Sequence, residues 1–350
     1  MSIEINDKRF IKDFKKCTFS NYKKTDVKTS LKNSIYNNKI EEACYWTAEL
    51  VCSALYIDLW EVILFIMSKH IHLGNPKLPI YLSNRYSVFK NIIRNGFMQD
   101  ELPMRNNKSV RSLFTEIVCI LCISPKKPCF EFIKHKSFTF DIHDMSERLN
   151  APNIQYASTF FKKHDPKELF IAMNELCYQF TIKKDIVNTA FWIDWIIEFD
   201  FICQKKKKKL EGERRPHVPV QDKDQMDVIW IIWDMILYYA INNKLIYKII
   251  TELLTLFCIR YTKSIKRKRK YMIYHAIYLL IEPVNNTIDI CNNTDLIKKL
   301  CDKTGIIYSE IKKNEIKPNT DYLFMNQSSK SNIEKTLDRI QKMNDVLKSK

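Results

Sequence analysis

Two stretches decide how this chain is read: IEEACYWTAELV at 40–51 followed by WEVIL at 60–64, and IVNTAFWIDWII at 186–197 followed by WDMIL at 233–237. In the leading halves, Ile40, Cys44, Thr47, Leu50 and Val51 meet Ile186, Ala190, Ile193, Ile196 and Ile197 at a constant offset, with Tyr45 and Trp46 on Phe191 and Trp192. Spacings of three, four and seven set these residues on one helical stripe. In the trailing halves, Tyr56, Leu59, Trp60, Glu61, Ile63 and Leu64 meet Ile229, Ile232, Trp233, Asp234, Ile236 and Leu237. Both are apolar almost all round, the mark of helices sunk into a core. The offset grows between the halves, so the second unit carries an insertion, and the charged stretch 204–225 is its place. The pattern reads as a duplicated helix pair, although two unrelated buried helices rich in Trp and Ile would show the same periods. Either way it predicts an all-α, multi-helix bundle.

Composition supports a folded body. Hydrophobic residues make up 46% of 350 positions, enough for one large core or two. The glycines, Gly74, Gly96, Gly212 and Gly305, stand too far apart for a phosphate-cradling loop, which excludes the P-loop and the dinucleotide fingerprint. The longest apolar runs, 228–241 and 55–67, fall short of the roughly 20 residues that span a bilayer, and Asp58, Glu61 and Asp234 interrupt them. No membrane partner is expected. Residues 1–16 mix both charges and lack the apolar centre of a signal peptide. Eleven cysteines, among them Cys44, Cys52, Cys119, Cys177 and Cys258 in apolar helical runs, read as reduced thiols of an intracellular protein.

The chain divides into a loosely held, polar basic arm (1–29), a first helical unit (30–125), a linker (126–152), a second helical unit (153–283) with its insertion at 204–225, an irregular region (284–331) and a C-terminal amphipathic helix (332–350). Helices are expected at 84–95, 109–123, 245–261 and 271–281, and one short helix within 288–307. Alternating aromatics at 130–140 suggest a short strand or an irregular linker. Asp165-Pro166-Lys167-Glu168 carries the cap, the N1 proline and the acidic third residue of a helix start. Ile333, Leu337, Ile340, Met343 and Leu347 give the last helix an apolar stripe that docks on the body or pairs with a protein partner.

Charge is the main functional signal. Lys and Arg number 57 against 40 Asp and Glu, a net charge of +17. The excess gathers at Lys205, Lys206, Lys207, Lys208 and Lys209 with Arg214 and Arg215, and at Lys266, Arg267, Lys268, Arg269 and Lys270. Such blocks neutralise phosphates and release counterions, and Tyr261, Tyr271 and Tyr274 beside the second could stack on bases. A solvated lysine face, a localisation signal or an acidic protein partner would use the same residues.

Catalytic and metal signatures are weak. Cys119, Cys122, Cys129 and His135 have the ligand types of a Cys3His zinc site, but the CxxC lies in an apolar helical run rather than on a turn. His70 and His72 sit at a helix end, where imidazolium is favoured electrostatically. Asp194 and Glu198, four apart on a helix, suit an exposed face better than an acid–base pair. The expectation is a protein without enzymatic activity, cofactor or metal.

IEEACYWTAEL at 40–50, continuing through FIMSKHIHLGNP at 65–76, resembles the helical oligomerisation region of the RarA/Werner-helicase-interacting group of AAA+ proteins, relatives of clamp loaders. The match covers about a tenth of the chain, departs at Lys69 and His70, and includes no ATPase module. It implies a collar-like role in assembly. The Ile/Lys/Asn-rich style with Trp-rich helices resembles uncharacterised proteins of giant, nucleocytoplasmic large DNA viruses, which implies the host cytoplasm, in a viral factory, or the nucleus. The resulting expectation is a nucleic-acid-associated accessory protein of DNA replication or repair, with a virion structural or assembly scaffold as the alternative.

Overall fold

The computed structural model describes residues 4–129, 140, 145–285, 287–291 and 293–317. Helices dominate, and among the described residues strand-type pairing is confined to two isolated bridges, Cys17 with Lys23 and His72 with Lys127. The chain is all-α. Its first half carries α1 (Lys24–Tyr36), α2 (Ile40–Cys52), α3 (Tyr56–Phe65), α4 (Leu78–Arg94) and α5 (Lys108–Ile123), with a π-helical turn, Ile66–Ile71, directly after α3. The second half carries α6 (Phe170–Tyr178), α7 (Ile186–Lys205), α8 (Ile229–Ala240), α9 (Lys244–Phe257) and α10 (Ile265–Ile281), followed by α11 (Thr294–Asp302) and α12 (Thr304–Lys312). Asn107, Asp185 and Asn243 accept hydrogen bonds from the first free amides of α5, α7 and α9, which fixes where those helices begin.

One apolar core runs through both halves. α2 lies against α1 and α5, α9 lies against α4, and α10 touches α3, the π turn, α7, α8 and α9. Trp60, Trp192, Trp230 and Trp233 are fully buried. Trp60 packs on Tyr86, Phe89 and Phe114 with ring centroids 5.1, 6.0 and 5.8 Å away. The linker at 126–152 therefore does not divide the core. Both stretches of the internal match are helical, yet they pack differently: α2 lies on α3, whereas α7 lies chiefly on α6 and α10, and α8 on α9 and α10. The 206–228 segment separates α7 from α8 along the chain, and α10 packs against both.

Three expectations are corrected. The arm is docked: Ile5, Phe14 and Phe19 are buried, the Ile5 backbone exchanges two hydrogen bonds with the Asn106 side chain, and α1 already starts at Lys24. Three apolar residues outweighed the surrounding lysines. At 165–168 the regular helix begins later, at Phe170 after a 3-10 turn, because the Asp165 carboxylate is taken by Arg215 instead of a helix amide. Third, α10 begins at Ile265 and not at Tyr271, so the whole second basic block is helical. The aromatic alternation at 130–139, with His135, and the amphipathic stretch 332–350 lie outside the described residues.

Docking of the arm makes a direct prediction. Phe14→Ala should cost about 3–5 kcal/mol, the usual loss for a buried phenyl ring, when stability is measured by urea denaturation. A loss below about 1 kcal/mol would mean that the arm does not pack.

Candidate functional site

α10 places five cations within its first six residues, at the end of a helix where the peptide dipoles already present positive charge. That arrangement is unfavourable without counter-charge. Carboxylates supply it from three other segments. Lys266 is 2% exposed and donates to Asp200 of α7 and to both oxygens of Asp227, at 2.6 and 2.9 Å. Arg267 pairs with Glu198 at 2.9 Å. Arg269, also buried, donates to Glu61 of α3 and to the carbonyls of Phe257 and Ile259, both at 2.6 Å. Lys270 meets Asp194 at 2.8 Å, and Tyr274 donates to the same carboxylate. Asp194 and Glu198, one turn apart on α7, thus form a strip matched to Lys270 and Arg267.

The two carboxylates that hold Lys266 have further donors. Gln204 donates to Asp200 at 2.7 Å, and Tyr261 donates to Asp227 at 3.0 Å. Burial would lower the Lys266 pKa, but Asp227 and Asp200 outweigh it and hold the ammonium above its ordinary value. Burial, reinforced by Asp227, raises Asp200 above the ordinary carboxylate range despite Lys266. The cluster is a charged lysine locked between two buried carboxylates.

The insertion is organised the same way. Arg215 is fully buried, grips Asp165 through two hydrogen bonds of 2.6 and 2.7 Å, and reaches Asp234 at 2.9 Å. A Cβ at Gly212 would stand 2.9 Å from Asp165 Oδ1 and 3.1 Å from Arg215 Nη1, so the loop needs glycine where it closes over this pair. Arg214 stays at the surface but is tied to Asp222 and Gln225. His217 lies 3.1 Å from Asp234.

The solvent-facing part of the basic surface is the end of α7. Lys206 and Lys207 close the helix, with Lys207 in a left-handed conformation and the Lys208 amide bonded to the Cys203 carbonyl, a Schellman turn. Lys205, Lys206, Lys207, Lys208 and Lys209 are all exposed. Lys208 pairs with Glu168, while Lys206, Lys207, Lys209 and Lys268 have no carboxylate partner among the described residues. Phe201 lies between the Lys205 ammonium, 4.3 Å from its ring centre, and the Arg267 guanidinium at 4.0 Å. The structure therefore joins the exposed remnants of both blocks around one aromatic ring.

Sequence reasoning assigned twelve cations and Tyr271 to a nucleic-acid surface. Lys266, Arg269 and Arg215 leave that set because they are buried against acids and carbonyls. Tyr271 packs edge-on against Phe65 and Tyr274, with Lys69 over its ring; Tyr261 and Tyr274 are buried. Phe201 was missed, and its signal was its place one turn before the lysine run.

The cysteine and histidine candidates are also distributed differently. Cys119 and Cys122 are buried in α5, Cys119 contacts Cys44, and among the described residues no cluster of three metal-ligating side chains occurs. His70 packs on Tyr36 and Phe65. His72 pairs with His275, ring centroids 4.7 Å apart, both almost fully buried. His72 Nε2 and both ring nitrogens of His275 lack a hydrogen-bond partner among the described residues. Burial, and then Lys127, pushes the His72 pKa down to about 3; burial, and then His72, pushes His275 well below its ordinary value.

Both rings are neutral in the folded chain and titrate near 6.5 once unfolded. Stability is therefore fully present above pH 6.5 and is lost as pH falls below it, by about 1.4 kcal/mol per pH unit for each ring that stays neutral in the folded chain. Between pH 6.5 and 5.5 the melting temperature should drop. His275→Leu should flatten that drop, and an unchanged slope in the variant would contradict the neutral pair.

Among the described residues no helix is long and apolar enough to cross a membrane. No protein family, curated protein or solved structure matches the chain.

Proposed function

We propose that this chain is a non-enzymatic, nucleic-acid-associated accessory protein of a replication or repair assembly, and that it contacts phosphates through the end of α7 with Arg267 and Lys268. The observation that carries this reading is uncompensated charge. Among the described residues, Lys206, Lys207, Lys209 and Lys268 remain without carboxylate partners, while the rest of the second basic block is matched with acids. A helix C-terminus favours one or two cations through its dipole; a run of five adjacent lysines exceeds that need. Flexible, exposed ammonium groups suit contacts to phosphate without base readout, and the Phe201 ring adds a flat apolar surface beside them.

The non-enzymatic part of the reading draws on how the acids are used. Asp194 and Glu198, the carboxylates best spaced for acid–base work, are bound to Lys270, Tyr274 and Arg267. Asp200 and Asp227 are buried and closed around Lys266.

Fluorescence anisotropy with labelled single- and double-stranded oligonucleotides tests the proposal. Binding at low salt that falls linearly on a log–log plot against salt is expected. No binding to either probe at low salt removes this function.

A further inference from the structure

We propose that Cys44 and Cys119 form an oxidisable pair, and that peroxide converts the contact between α2 and α5 into a disulfide. The two sulfurs stand 3.7 Å apart across that helix contact, close enough for one thiol to donate to the other. A disulfide requires about 2.0 Å between sulfurs, an approach within the range of side-chain rotation. Among the described residues no other pair of thiols makes such a contact; Cys177, for comparison, lies against the Met235 sulfur at 3.4 Å.

Access is asymmetric, which sets the order of events. Cys119 is fully buried, whereas Cys44 lines a cavity of about 640 Å³ with Tyr45, Leu300, Ile306 and Ile307. A molecule as small as hydrogen peroxide fits that space. The hydrogen bond from Cys119 also favours the Cys44 thiolate, drawing its pKa below the ordinary thiol value against the effect of burial. Buried thiols without such a donor go the other way: burial lifts Cys177 and Cys258 to about 12.

In the first step the Cys44 thiolate attacks one peroxide oxygen. The O–O bond breaks, hydroxide leaves, and Cys44 becomes a sulfenic acid. In the second step Cys119 gives up its proton and its sulfur attacks the Cys44 sulfur. The S–O bond breaks, and the departing hydroxide takes that proton to leave as water. Each sulfur is oxidised by one electron equivalent, and the two peroxide oxygens are reduced.

The test uses the full chain, treated with hydrogen peroxide, quenched by alkylation, digested and mapped without reduction. The expected product is a peptide joining Cys44 to Cys119 as the main cross-link, removed by dithiothreitol and accompanied by a higher melting temperature. Cys119→Ser, checked for folding by circular dichroism, should leave Cys44 as a sulfenic acid captured by dimedone. Recovery of both thiols unoxidised when the more exposed Cys17 and Cys291 have reacted overturns the proposal. So does a main cross-link through Cys122 or Cys301.

Discussion

Lys266→Met is expected to lower stability by about 3–5 kcal/mol, the range for removing one partner of a buried ion pair. Asp200 and Asp227 would then be left in the interior with only neutral donors, Gln204 to Asp200 and Tyr261 and the Ile229 amide to Asp227. A lysine that served only as a phosphate contact would give a change within about 0.5 kcal/mol. The deficit arises from stranded carboxylates, so it should shrink in the triple variant Lys266→Met, Asp200→Asn, Asp227→Asn, where no charge is left buried. Urea denaturation at neutral pH reads both values. A single variant as stable as the parent would place Lys266 outside the core.

Replacing Lys205, Lys206, Lys207 and Lys209 with Gln should have the opposite profile. Stability should change by less than about 1 kcal/mol, since these side chains are exposed and make no salt bridge among the described residues. Affinity for nucleic acid should fall steeply. Each phosphate contact contributes about 0.9 to the log–log salt slope on duplex DNA, so losing four would flatten it by roughly 3–4. An unchanged slope would mean that the end of α7 is a solvated surface. Together the two variants separate cations that hold the fold from cations that face a ligand, a distinction that net charge alone does not make.

The helical architecture was legible because burial leaves a periodic trace. The stripe Ile40, Cys44, Thr47, Leu50, Val51 falls on α2, and Trp60 and Trp233 mark helices that are buried as their composition implied. The arm was misread because the buried Ile5, Phe14 and Phe19 follow no helical period and stand among lysines. The fate of the second basic block was hidden for a different reason. Its counter-ions, Glu61, Asp194, Glu198, Asp200 and Asp227, come from distant parts of the chain, and only the tertiary packing of α10 against α3 and α7 brings them together. One clue was present: Asp194 and Glu198, four apart, share a helix face, and Arg267 and Lys270, three apart, share another, which suits two helices that pair by charge. Arg215 gave no such warning, because Asp165 and Asp234 lie far from it in sequence and on either side of it.

The basic residues divide into an internal set and an outward set. Graded acetylation of the native protein, read lysine by lysine with mass spectrometry, tests this division most directly. Lys206, Lys207, Lys209 and Lys268 should be modified rapidly, with Lys266 protected until the chain unfolds. Modification of Lys266 at the rate of Lys268 would contradict it.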